Sequence, residues 1–322
     1  MKASTLTPSL TTALLFALVG SQTLAHTNRV ETTRTDSSYF ERLQSDDPNY
    51  FVFAFPLEDG DLHDDTHAEF YLSIKYRFRL WQNDRLWQPD HLPIIYNGLY
   101  DFYLIEGGRY ESAPIISRRQ NPGVALEWDV SRQGVLRLGY FHESNGQSID
   151  DGTDIDGNGL DDGFEDFNRA KAAEGYEYAL AQLSRGWEYT ILRYQQSGGS
   201  EWPWLWHIDL RYFLDRQGAG TMDREDKVFW EPIDEQPTIQ DYDGLRMMCE
   251  LPLYRDRLMA RVNLKTGTSG WESLGNAGGR AALNFALRKN FWVTAFYFNG
   301  YGKEPSTYHL RTRYAGIGFE FR

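Results

Sequence analysis

The sequence predicts an all-β protein: a transmembrane antiparallel β-barrel carrying one long inserted loop. Three observations point there. Apolar and polar residues alternate with period two over stretches of roughly ten residues, the length of a tilted strand that crosses a bilayer. The chain of 322 residues holds 10 Trp, 20 Tyr and 19 Phe, yet its mean hydropathy is −0.57. In a barrel only alternate residues meet lipid, so a heavy aromatic load coexists with a polar average. The N-terminus reads as an export signal, which directs the strands to a membrane beyond the cytoplasm.

That signal spans residues 1–25. Lys2 supplies the positive charge, "TTALLFALVG" the short apolar core, and Thr23, Leu24 and Ala25 the small residues before a cut near Ala25. Residues 26–60 form a polar periplasmic lead-in, with "YFVFAFP" as a possible first strand. The barrel is expected over 61–322.

In "AEFYLSIKYRFRL" Ala68, Phe70, Leu72, Ile74, Tyr76, Phe78 and Leu80 share one face, and Glu69, Lys75, Arg77 and Arg79 the other. "LWHIDLRYF" sets Trp206, Ile208, Leu210 and Tyr212 against His207, Asp209 and Arg211. "LMARVNLK", "AALNFALR" and "YAGIGFEF" repeat the pattern. A soluble β-sandwich also solvates one face. Charges at alternate positions along strands this long favour a polar lumen, and closing the sheet pairs every backbone group that lipid would leave unsatisfied. No stretch approaches twenty apolar residues, so helical spanning is excluded. Cys249 is the single cysteine, which rules out an internal disulfide. The net charge of −13 argues against a nucleic-acid partner.

Residues 145–183 break the alternation. The segment opens rich in Gly and Asp, then "FNRAKAAEGYEYALAQL" turns to good helix formers. Within it "DIDGNGLDDGFE" fills the pattern of a calcium loop. Asp154, Asp156, Asn158 and Asp162 offer oxygens, Leu160 a carbonyl, and Glu165 a bidentate carboxylate. A structural calcium site is expected; the alternative is an acidic outer loop.

Just before this insertion, "VLRLGYFHES" places Leu136, Leu138, Tyr140, His142 and Ser144 on one face. If the leucines face lipid, His142 and Ser144 face outward at the membrane's edge. Side by side on one strand, an imidazole can take the hydroxyl proton. The Asn-Gly that follows can turn backbone N–H groups toward a developing oxyanion, at Ser144 and Gly146.

With "HESNG" at 142–146 and "SRGWE" at 184–188, the chain resembles the outer-membrane phospholipase A family of Gram-negative bacteria. The family carries H-x-S-N-G and, further on, a stretch like S-R-S-W-N. Similarity continues through "ESAPIISRRQNPG" and "FNGYGKEPSTYHLRTRYAGIGFEF". The resemblance implies a twelve-stranded outer-membrane barrel that hydrolyses phospholipid acyl esters, with phospholipase A1, A2 and lysophospholipase activity. It implies calcium as cofactor, membrane phospholipids as substrate and a homodimer as the active form. Ser144 becomes the nucleophile and His142 the general base. Glu188 takes the third place, where the family motif has Asn; Asn168, in "FNR", is the rival. Catalytic calcium falls on the Gln147 carbonyl, Ser184 and Ser112. The alternatives are a lipid A deacylase and a barrel without enzymatic activity, serving as a channel or surface protein.

Overall fold

The computed structural model describes residues 43–57, 66–80, 88–103, 117–146, 162–175, 179, 182, 184–199, 202–214, 238–303, 305 and 307–322. The expected export signal and most of the lead-in lie outside the described residues.

Strands β1 (Leu43–Gln44) and β2 (Asn49–Pro56) both pair antiparallel with β3 (His67–Arg79), and β4 (His91–Tyr103), β5 (Ser117–Asp129), β6 (Gly134–Ser144) and β7 (Gly186–Gly198) follow antiparallel in sequence order. They continue through β8 (Trp204–Leu214), β9 (Leu245–Tyr254), β10 (Leu258–Thr266), β11 (Gly278–Arg288), β12 (Phe291–Gly300) and β13 (Thr312–Phe321). β13 pairs with β2, β2 with β3, and β3 with β4, so β2–β13 close into a twelve-stranded barrel. The barrel thus takes in "YFVFAFP" and begins ahead of the residue-61 boundary. Outside the sheet the described residues include α1 (Asp162–Glu174) in the insertion, α2 (Ile239–Tyr242) before β9, and a 3-10 turn at Glu272–Asn276. No described helix is long and apolar enough to cross a membrane.

The expected alternation is the alternation of the barrel wall. On β11, Leu283, Phe285 and Leu287 point outward and are about half exposed, while Ala282 and Asn284 are buried inside. On β3, Ile74 and Phe78 face out, and Glu69, Ser73 and Lys75 face in. Stripes of this size would each forfeit several kcal/mol in water at about 25 cal/mol per Å²; in hydrocarbon they are solvated. At the short-turn rim Phe291 stacks on Phe319 at 5.1 Å and meets Phe321 at 5.3 Å, part of an aromatic edge.

The two ends differ. Connections 130–133, 199–203, 255–257 and 289–290 are short and lie at one end. Connections 145–185, 215–244, 267–277 and 301–311 are long and lie at the other, the outer side by the usual asymmetry of such barrels.

Ion pairs fill the lumen. Between β1 and β2 the chain leaves the ladder, and the backbone N–H groups of Asp46 and Asp47 donate to Ser73 Oγ at 3.1 and 3.0 Å. This break drops the Asp46 carboxylate among Lys75 (3.0 Å), Arg137 (2.8 Å) and Arg193 (3.3 Å). Arg137 also holds Glu127 at 2.7 Å, and Arg193 holds Asp209 at 2.6 Å. Nearer the long-loop end, His67, Glu69 and Asp101 place ligand atoms within 4.8 Å of one another. The Lys303 ammonium sits among them, 2.6 Å from Asp101, 3.2 Å from Glu69 and 3.1 Å from His67 Nε2. A lysine already supplies the positive charge there.

Candidate active site

β6 and β7 run side by side to the long-loop rim. Their register pairs Tyr140 with Thr190, His142 with Glu188, and Ser144 with Gly186. Arg137, Phe141 and Glu143 on β6, and Trp187, Tyr189 and Arg193 on β7, are buried on the lumen side. His142, Ser144 and Glu188 therefore share the outward face at one end of the wall. Glu143 is nearer in sequence to both His142 and Ser144, but it points inward, where Arg211 lies 3.3 Å from its carboxylate.

The wall behind this row is tightly built. The Phe141 ring lies against Gly123 and Gly139; a Cβ would come within 2.1 Å of the ring at residue 123 and 2.7 Å at residue 139. The β5–β6 ladder skips Asn121 and Pro122, and proline has no N–H to give. Asn121 Nδ2 donates instead to the His142 carbonyl at 3.1 Å and to the Tyr189 hydroxyl at 2.8 Å. Trp187 meets Tyr308 edge to face at 5.6 Å, and Tyr308 in turn meets Tyr242 at 5.4 Å.

At the rim the β6–β7 ladder continues one residue beyond the strands. The Asn145 N–H donates to the Arg185 carbonyl at 3.1 Å, and the Arg185 N–H donates to Asn145 Oδ1 at 2.7 Å. On this register Ser184 comes level with Gly146. Gly146 has φ +54°, a left-handed conformation that glycine adopts without strain. Arg118 Nε donates to the Asn145 carbonyl at 3.0 Å, and its Nη2 donates to the Gly146 carbonyl. With both carbonyls held by one guanidinium, the turn after Ser144 is fixed. On the outward face Tyr140 donates its hydroxyl hydrogen to Glu188 Oε2.

No protein-family model matches this chain, and no curated protein matches it in sequence. Solved structures do match. Outer membrane phospholipase A from Escherichia coli is similar with a TM-score of 0.59 and 16% identity, over 87% of this chain and 98% of that one. The chain has the outer-membrane phospholipase A fold. An active-site mutant of the same Escherichia coli protein matches at TM-score 0.59 and 16% identity, over 90% of this chain and 95% of its own. The outer membrane phospholipase dimer of Salmonella typhi, with bound calcium, matches at TM-score 0.56 and 16% identity, over 87% of this chain and 92% of its own.

On the phospholipase A fold the expected residues separate into three groups. His142, Ser144, Glu188, Gly146 and Ser184 converge at the β6–β7 rim. Asn168 sits on α1, half-buried beside the buried Phe167, and not on the strand that faces His142. Ser112, Gln147 and the loop residues Asp154, Asp156, Asn158 and Leu160 lie outside the described residues. Asp162 and Glu165 form the first turn of α1, so the twelve-residue pattern runs into a helix, as a calcium loop does. The donors expected for catalytic calcium are all oxygens, the ligand type a hard cation takes.

Three residues around the row, Tyr140, Arg118 and Asn121, escaped the sequence reading. Tyr140 was placed on the outward face without a role, although its spacing of two from His142 was visible. Arg118 and Asn121 lie in the "SRRQNPG" stretch, where similarity to the family was noted but no chemistry assigned.

Proposed function

We propose that this chain hydrolyses acyl esters of phospholipids in the outer membrane, with Ser144 as nucleophile, His142 as general base and Glu188 as the acid that orients it. The observation that carries this reading is the outward row at the β6–β7 rim, where a serine and a histidine two apart face a carboxylate across the ladder. A site on the outside of a barrel wall meets lipid, not solutes in the lumen. That favours an acyl chain lying in the bilayer as the substrate.

The chemistry runs in two halves. Ser144 Oγ attacks the ester carbonyl as its proton passes to the imidazole of His142, and that proton then leaves with the lysolipid alcohol. Water, deprotonated by His142, then attacks the acyl-serine; the acyl–oxygen bond breaks, the fatty acid leaves, and His142 returns the proton to Ser144 Oγ. Glu188 holds the imidazole tautomer and stabilises the imidazolium in both halves. The N–H groups of Ser144 and Gly146 are the oxyanion donors in this scheme, on a turn that Arg118 pins from the carbonyl side. The Gln147 carbonyl and Ser184, with Ser112 of the partner subunit, would hold calcium, which would supply positive charge to the ester oxygen as negative charge develops there.

The test is fatty-acid release from phospholipid vesicles by the purified protein in calcium, with parallel vesicles of lipid A. Ser144→Ala is expected to abolish release and fluorophosphonate labelling; undiminished release by this variant sinks the reading. Cleavage confined to lipid A would move the substrate to the glycolipid of the outer leaflet.

A further inference from the structure

Glu188 carries a carboxylate on the lipid-facing side of the wall, where an unpartnered charge is costly. One of its oxygens accepts the Tyr140 hydroxyl. Tyr140 is two residues before His142 on β6, and its own partner across the ladder is Thr190. The phenol therefore reaches diagonally, past its direct neighbour, to the carboxylate that stands opposite the histidine. Tyr140 and His142 share the outward face of the same strand, and His142 stands opposite Glu188 in the register.

From this we infer that Tyr140 is a positioning residue for hydrolysis, holding the Glu188 carboxylate in the rotamer that faces His142. The inference rests on the proposed roles of Ser144, His142 and Glu188. The phenol donates to Oε2 and so takes one lone pair of the carboxylate. It also draws part of the negative charge. A carboxylate in the third position needs this partner more than a neutral amide would, because it stands on a lipid-exposed wall. Other titratable or charged groups on the outward faces of the adjoining strands are Arg118 on β5 and Tyr212 on β8, and Arg118 is engaged with the Asn145 and Gly146 carbonyls.

The experiment is Tyr140→Phe in the full-length protein, assayed on phospholipid vesicles across pH, with Glu188→Gln and the double variant alongside. Phenylalanine keeps the ring against lipid and removes only the hydroxyl. We expect kcat to fall roughly tenfold or more with KM little changed, the size of one charge-assisted hydrogen bond. The pH profile of kcat/KM is expected to change as well, because the carboxylate opposite the histidine has lost its donor. In the Glu188→Gln background the same substitution should cost far less, since the phenol there meets a neutral amide oxygen and the carboxylate charge it answers is already gone. A Tyr140→Phe protein with unaltered kcat and pH profile overturns the inference, as do losses that simply add to those of Glu188→Gln. If Ser144→Ala keeps its activity, the hydrolase reading itself has failed, and Tyr140 is not the cause. A thermal midpoint equal to the parent's separates lost positioning from lost folding.

Discussion

Ser144 and Gly186 face each other across the β6–β7 ladder, and a Cβ on residue 186 would lie 3.3 Å from the serine Cβ and 3.4 Å from His142 Cε1. The first approach is tighter than most Cβ contacts and the second is at van der Waals contact, so the residue at 186 bears on how serine and histidine lie beside one another. Gly186→Val is expected to lower kcat roughly tenfold or more, because misplacing reacting groups by a fraction of an ångström is costly. Gly186→Ala, needing only a small shift, should lose much less. Steady-state hydrolysis of phospholipid, with thermal unfolding as control, measures both; a fully active valine variant would show that the row tolerates displacement.

Arg118 anchors the turn that follows Ser144 through the carbonyls of Asn145 and Gly146. Arg118→Met keeps an unbranched stem and removes the guanidinium donors. The expected result is a fall in kcat of roughly ten- to a hundredfold with little change in KM, since the oxyanion donors lose their fixed direction. A loss confined to KM would assign Arg118 to binding.

Asp46 answers three cations, Lys75, Arg137 and Arg193, from the break between β1 and β2. Removing a buried acid strands its partners, at about 3–5 kcal/mol. Arg137 keeps Glu127 and Arg193 keeps Asp209, while Lys75 has no second carboxylate among the ion pairs described. Asp46→Ala should therefore lower the urea midpoint of unfolding, and Asp46→Ala with Lys75→Met should recover part of the loss. Unchanged stability in the single variant would mean that solvent in the lumen screens these charges.

His309 lies in the connection between β12 and β13, where burial and then the nearby Arg185 guanidinium push its pKa down to about 3. The unfolded histidine takes up its proton near pH 6.5, about where a free imidazole titrates. As pH falls below that value the undocked loop binds a proton that the docked loop refuses, so docking is fully stable above about pH 6.5 and weakens progressively toward pH 3. Limited proteolysis of the 301–311 connection should accelerate over that window, and His309→Phe should flatten the dependence. An unaltered profile in His309→Phe would place the titration elsewhere.

The calcium pattern of the insertion separates from catalysis by titration. Asp156→Ala is expected to leave the calcium dependence of hydrolysis unchanged and to lower thermal stability in calcium, because clustered carboxylates repel one another without a cation. A shifted calcium requirement for activity would tie the insertion to the reaction.

The barrel was legible because its signal is local. Period-two alternation along "AEFYLSIKYRFRL" or "AALNFALR" follows from the pleat, and lipid outside with charge inside is the one arrangement that solvates both faces. The same periodicity placed His142, Ser144 and Glu188 on outward faces. It was weakest at "YFVFAFP", where apolar residues fall on both faces; there Val52 and Ala54 pack inward against Phe296 and Tyr314 instead of meeting water or ions.

By itself, then, the sequence determined the orientation of each side chain with respect to its own strand, and with it the outward row that carries the proposed chemistry. Register was decided only by the closed sheet. His142 meets Glu188 across an insertion whose length fixes nothing about alignment, because pairing is set by cross-strand hydrogen bonds and the stagger of the whole barrel. The diagonal reach of Tyr140 to Glu188, the Arg118 grip on Gly146 and the descent of Asp46 into the lumen are contacts of this kind. Each joins residues distant in sequence, and a periodic pattern says which way a residue faces but not what it will touch.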